Sequence, residues 1–255
     1  MWNFALGSTL NYGNARAFAL SAGTHFEYFA QDPTSFDHLL TADVLFSYGI
    51  ASLRDETMAT RPWMDWAANA QNLLAKVRYD FFVTDDDAIF AALWFRNDPF
   101  AGLEFRFQGQ LGYARTFFRE GDANQHRFWG EVGLDLTYDD RLVPPTATFA
   151  NSEERLSGRL FVGYDNHIND NWQLLTGVEV LLPFLPEDAF NPPPSTVEFQ
   201  NNYDLRVSSI SELRFKIEDN LQFGLRFTLL FDNRPVPGNE QFDTTTVLNV
   251  VYTAL

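Results

Sequence analysis

The chain has 255 residues, 45% of them hydrophobic and 20% charged, and no cysteine. Its 34 acidic side chains outnumber 18 basic ones, for a formal charge of -16; that balance excludes a nucleic-acid binder, and the absence of thiols excludes disulfide-stapled modules and thiolate sites. Aromatics at 16%, with 26 Phe, exclude a disordered chain, and no apolar run reaches the roughly 18 residues of a membrane-spanning helix.

The opening Met1-Trp2-Asn3 has neither a basic segment nor an apolar one behind it, so no secretory signal is read there. A cytosolic protein and a mature exported protein with an initiator Met are both compatible with that start. Periodicity separates them.

In chain order, period-two alternation recurs almost from end to end. The first segment sets Trp2, Phe4, Leu6, Leu10 and Tyr12 against Asn3, Ala5, Gly7, Thr9 and Asn11. The second sets Phe18, Leu20, Ala22, Phe26 and Tyr28 against Ala17, Ala19, Ser21, Gly23 and Glu27. Further on, Leu103, Phe105, Phe107 and Leu111 oppose Glu104, Arg106, Gln108 and Gln110, and Val132, Leu134, Leu136 and Tyr138 oppose Glu131, Gly133, Asp135 and Thr137. Near the end, Phe223, Leu225 and Phe227 oppose Gln222, Gly224 and Arg226. A helix would scatter these sets around its circumference. The pattern predicts an all-β chain of about twelve strands, near 2–12, 15–31, 36–52, 63–83, 88–96, 101–119, 125–141, 155–168, 171–184, 198–217, 221–233 and 241–255.

Connections alternate in length. Short turns such as Thr84–Asp87, Glu120–Asn124, Asn169-Asp170 and Glu218–Asn220 fall on one side. Longer segments at 53–62, 142–154, 185–197 and 234–240, holding Pro144-Pro145 and Pro192–Pro194, fall on the other, where Gly13-Asn14 and Asn97–Phe100 stay short. That asymmetry predicts a single-domain, closed antiparallel transmembrane barrel over residues 1–255, with short periplasmic turns and longer extracellular loops. Twelve strands enclose more space than Phe and Leu could pack, so the apolar face is expected to meet lipid and the polar face a lumen. Tyr28, Phe81, Tyr113, Trp172 and Tyr252 towards the short turns, and Tyr12, Tyr48, Trp66, Trp94, Tyr138 and Tyr203 towards the long loops, are expected to form interfacial girdles.

Ala75–Asp80, Arg96–Phe100, Leu103, Arg106, Gly112-Tyr113, Glu131, Gly133 and Tyr138, together with Tyr12–Asn14, carry a resemblance to the salt-induced outer-membrane protein family, a group built on a domain of unknown function. The resemblance covers most of the chain. It implies an outer-membrane barrel of Gram-negative bacteria and brings no catalytic residues.

On the polar parity, acids and bases are interspersed. Arg78, Asp80, Glu104, Arg106, Glu131, Asp204, Arg206, Glu212, Arg214 and Arg226 are the candidate lumen network. Mixed signs predict an internally paired, constricted lumen, and a narrow polar conduit stays open beside it. Turn parity sharpens one pair: if strands 10 and 11 face their apolar residues outward around a Glu218–Asn220 turn, Glu212 lies opposite Arg226, whereas a two-residue slip would oppose Arg214 to Arg226.

His25, His38, His126 and His167 are scattered without metal-ligand spacing. Asp85–Asp87 reads as a solvated turn rather than a cation site, and Asp55, Glu56, Glu153, Glu154, Glu187 and Asp188 read as loop acids. No catalytic residue, cofactor or metal is expected. The expected partners are outer-membrane lipid, lipopolysaccharide and the barrel-assembly machinery, with no nucleic acid, and the barrel is expected to be a monomer. A lipid-acting outer-membrane enzyme and a protein binding partners through 142–154 and 185–197 are the alternative functions.

Overall fold

The computed structural model describes residues 2–11, 15–30, 37–53, 67–99, 103–120, 125–142, 152–184, 205–233 and 241–254. These fold as antiparallel strands β1 (Trp2–Asn11), β2 (Ala15–Ala30), β3 (His38–Leu53), β4 (Ala67–Phe82), β5 (Asp87–Asp98) and β6 (Leu103–Glu120), followed by β7 (His126–Arg141), β8 (Ser152–Asn169), β9 (Trp172–Pro183), β10 (Arg206–Glu218), β11 (Leu221–Asp232) and β12 (Phe242–Ala254). Each strand pairs with its sequence neighbours, and β1 also pairs with β12 through Trp2↔Ala254 to Ser8↔Leu248, so the ring of ladders closes. The expected long loops lie largely outside the described residues, as do the proposed starts of the fourth and tenth strands at 63–66 and 198–204.

Side-chain exposure follows the period of two. On β6 and β7, Leu111 and Leu136 are each 58% exposed, while Asp135 and Asp139, on the other face of β7, are fully buried. Among the described residues, most buried side chains are polar or charged, and most large hydrophobic residues of the wall are exposed or half-buried. That is the inverse of a water-soluble core, whose interior is apolar.

Two inward glycines mark a place where the wall has no room for side chains. Gly112 and Gly133 face each other across β6 and β7. A Cβ on Gly133 would stand 2.5 Å from the Leu111 carbonyl oxygen, and one on Gly112 would stand 2.7 Å from the Phe90 ring. Glycine here lets the strands come together and lets the inward Phe90 lie flat against the wall.

The short turns are held by their own side chains. Thr84 Oγ1 accepts from the backbone N–H of Asp87 at 3.0 Å and donates to the Asp87 carboxylate at 2.8 Å. Asn169 Oδ1 accepts from the N–H groups of Asn171 and Trp172 at 2.9 and 3.0 Å, the Asx arrangement that Asn adopts readily. The turn after β10 is Asp219-Asn220, shorter than the expected Glu218–Asn220, with a bulge between Lys216 and Glu218. The bulge absorbs the odd residue, so Glu212 still faces Arg226 and Leu213 faces Leu225. Lys216 Nζ sits 2.7 Å from the Asp219 carboxylate and holds it below the usual carboxylate range.

Three further expectations change. Irregular pairing between Leu103 and Phe105 reverses parity at the start of β6, so Leu103 is buried and Glu104 is exposed. β8 begins at Ser152, which turns Glu153 from a loop acid into a buried strand residue. Trp94 lies on the inward parity of β5 and donates from Nε1 to Gln110 Oε1 at 3.3 Å, so it is not a girdle residue. Tyr28, Tyr48, Tyr113, Trp172 and Tyr252 are exposed on the outer wall, whereas Tyr12, Trp66 and Tyr203 lie outside the described residues.

The outward apolar belt generates a direct test. Phe107 and Leu225 are 48% and 44% exposed on that belt. Replacing either with Arg is expected to weaken folding into bilayers by about 2–4 kcal/mol at mid-height. Liposome folding scored by heat-dependent gel mobility measures this, and parental folding by both variants would contradict a lipid-facing belt.

Candidate functional site

β7 supplies the spine of the interior. A strand turns every second side chain to the same face at about 3.3 Å per residue, so Glu131, Asp135 and Asp139 form a vertical row of carboxylates inside the wall. All three are buried. An isolated ionised carboxylate cannot be held there without partners, and each has several.

Glu131 accepts from Arg78 Nη1 at 2.9 and 3.0 Å and from Arg159 Nη1 at 2.6 Å. Arg78 also holds Asp80 through Nε and Nη2, and Arg159 Nε holds Glu179 at 2.5 Å. The result is a chain of alternating charge, Asp80–Arg78–Glu131–Arg159–Glu179. Phe90 fills the space between the two guanidinium groups, 4.2 Å below that of Arg78 and 5.4 Å from that of Arg159.

Asp135 accepts from Gln110 Nε2 at 2.9 Å, from Thr137 Oγ1 at 2.7 Å and from Gln108. Asp139 accepts from Arg106 Nε and Nη2 at 2.5 and 2.6 Å, the two-pronged geometry that Arg alone provides, and from Arg155. Arg206 Nη2 approaches Asp139 to 3.8 Å and its Nε lies 3.4 Å from Asp232. Arg155 and Arg141 both reach Glu153.

A third cluster sits on β10 and β11. Glu212 accepts from Arg214 Nε at 2.7 Å and Arg226 Nε at 2.8 Å. A side chain at Gly224 would crowd Glu212 Oε1 at 3.1 Å, so glycine leaves the carboxylate its place.

Two of these ion pairs bridge strands that are not neighbours. Arg78 belongs to β4 and Arg206 to β10, yet both reach carboxylates of β7, from opposite directions around the ring. On the short-turn side of the first bridge the interior widens into a cavity of about 880 Å³, lined by Arg127, Trp129, Thr176, Arg214 and Arg226 among others.

Eight of the ten residues singled out from the sequence therefore make charged contacts inside the barrel, in three clusters rather than one. Glu104 does not join them, because the β6 irregularity turns it outward, and Asp204 lies outside the described residues. Asp139 and Arg155 were not anticipated, although both share the inward parity of strands already recognised. Among the described residues, no group of three or more His, Asp or Glu side chains is arranged to hold a metal. His25 Nδ1 lies 2.6 Å from Asp43 Oδ1, and His38 Nδ1 lies 2.6 Å from the Tyr79 hydroxyl.

An antiparallel β-barrel with an apolar outside and a charged inside has the build of outer-membrane porins and channels. Solved structures of porins and channels share this fold. An outer membrane channel from Pseudomonas putida F1 superposes with a TM-score of 0.52 at 10% identity, over 98% of this chain and 93% of that one. The NanC porin superposes with a TM-score of 0.50 at 10% identity, over 99% of this chain and 100% of that one. The family model described as "Protein of unknown function, DUF481" matches residues 4–191 and 194–253, and the chain belongs to that family. No curated protein matches the sequence.

Removing one partner from a buried pair leaves the other charge unmatched. Asp139→Asn, at a fully buried carboxylate held by Arg106 and Arg155, is expected to cost about 3–5 kcal/mol of barrel stability. Urea unfolding from liposomes measures it. In the same assay Glu212→Gln is expected to destabilise and added Arg226→Gln to restore part of the loss. Strictly additive effects would contradict the pairing.

Proposed function

We propose that the protein is a monomeric integral barrel of the Gram-negative outer membrane, with twelve strands closed around a lumen constricted at mid-height. Its short turns and termini face the periplasm and its longer loops the exterior, where they meet lipopolysaccharide; insertion proceeds through the barrel-assembly machinery. The lumen passes small solutes at most, and the resemblance to salt-induced outer-membrane proteins extends the reading to a stress-related role.

The observation that carries this reading is the pair of bridges onto β7. A guanidinium from β4 and another from β10 converge on a row of buried carboxylates, and Phe90 and Trp94 fill part of the remaining width. Wide open porins keep an aqueous channel along the lumen. Here paired charges cross it, and each is stable there only while it keeps its partner.

Conductance of the purified barrel in a planar bilayer tests the proposal. A unitary conductance well below that of a general porin in the same bilayer is expected, rising when Arg78→Ala removes the β4 bridge. A parental conductance equal to that of the general porin, or an Arg78→Ala variant indistinguishable from the parent, would contradict it.

A further inference from the structure

We propose that the cavity on the short-turn side of the constriction is a binding site for a small organic oxyanion, held by Arg127 on one wall and by Arg214 and Arg226 on another. The proposal rests on the constricted-barrel reading and names the class of solute that the lumen receives, but it does not require that solute to cross.

Eight acids and eight bases line the cavity, so any excess of positive charge is local to one part of its wall. At the constriction Asp80, Glu131 and Glu179 share Arg78 and Arg159, which leaves that wall with one negative charge in excess. Glu212 is shared by two guanidinium groups, leaving its own wall with one positive charge in excess. Arg127 makes no direct ion pair among the described residues, although Asp165 and Glu27 are near enough to act on its charge. Asp165 faces it directly across β7 and β8, yet accepts from Gln173 Nε2 at 2.9 Å instead. The Arg127 guanidinium lies 4.4 Å over the Trp129 ring, and its buried Nε has no hydrogen-bond partner among the described residues.

A buried guanidinium N–H without an acceptor is costly, and a planar oxyanion is the acceptor that its fork fits. The remaining acids of the cavity, Glu27, Asp37, Asp85 and Asp86, stand on β2, just before β3 and in the turn after β4; Glu27 lies 3.7 Å from His25 and Asp86 lies 3.8 Å from Arg119. Phe161, Leu175 and Ile210 line the same space and offer an apolar surface to the body of the solute. Its volume of about 880 Å³ falls in the range of small-molecule sites, roughly 300–1,000 Å³. Carboxylates and phosphates share the required chemistry, and the apolar walls favour an organic carboxylate.

Trp129 reports on this site without any ion having to cross the barrel. The full-length protein is placed in nanodiscs, and the signal of Trp129 is isolated by difference from a Trp129→Phe variant. Iodide and caesium quenching are then compared at equal ionic strength. Iodide is expected to quench Trp129 more strongly than caesium despite the overall negative charge of the chain. Arg127→Gln is expected to lower iodide quenching about two- to threefold, the effect of one charge roughly 7 Å away in a water-like dielectric. Arg226→Gln, on the other wall, gives a second variant should the first fail to fold.

Butyrate and inorganic phosphate are then added as competitors. Protection by butyrate at concentrations where phosphate is ineffective supports an organic carboxylate, and protection by phosphate alone moves the site to phosphoryl groups while keeping the oxyanion. Caesium quenching equal to that by iodide, or protection by neither competitor, would overturn the proposal. A barrel that conducts like an open porin but shows iodide preference and butyrate protection would refute the constriction and leave the site standing.

Discussion

A strand that presents every second side chain to hydrocarbon must send the others to a shared interior, and here that interior is charged. The backbone constraint comes first: in a bilayer every N–H and C=O has to pair within the chain, and closing β1 on β12 achieves this for the wall. The side chains then inherit a second constraint. Charges buried inside the barrel lose much of their water, and they are stable there only if opposite charges reach them. The buried row on β7 meets that demand from both sides, with Arg78 reaching Glu131 and Arg106 and Arg155 reaching Asp139.

This pairing explains features that otherwise look unrelated. Glycines on the inward face give rings and carboxylates room. Gly163 sits where a Cβ would overlap the Trp129 ring, and Gly224 where one would crowd Glu212. Arginine dominates the inward bases because one guanidinium can serve two carboxylates at once, as Arg159 does for Glu131 and Glu179. Lys76, which has no such fork, lies instead 4.2 Å over the Trp94 ring. The apolar belt and the charged lumen are two faces of one alternation, and neither would be stable without the other.

Much of this was legible in the sequence because period two is insensitive to distance. Leu111, Leu134 and Leu225 announce the outer face wherever the strand ends fall, and parity across a turn was enough to place Glu212 opposite Arg226. Parity fails where the ladder slips. The irregularity at Leu103–Phe105 sends Glu104 outward, and no residue type in that stretch signals it. Asp139 and Glu153 lie near the ends of β7 and β8, where polar residues crowd together and apolar alternation no longer marks the inward face. The bridges from β4 and β10 to β7 were not legible at all. They depend on which strands face each other across the lumen, which closure and stagger decide and local alternation does not.

The central claim is that alternate residues of one strand occupy lipid and lumen. A chain with no cysteine allows single spin labels to be placed on β11 at Gln222, Phe223, Leu225, Phe227 and Thr228, and accessibility to oxygen and to a water-soluble nickel complex to be read in proteoliposomes. The account predicts high oxygen accessibility at 223, 225 and 227, with labels at 222 and 228 shielded from oxygen. A flat profile, or one with the two sets exchanged, would contradict it.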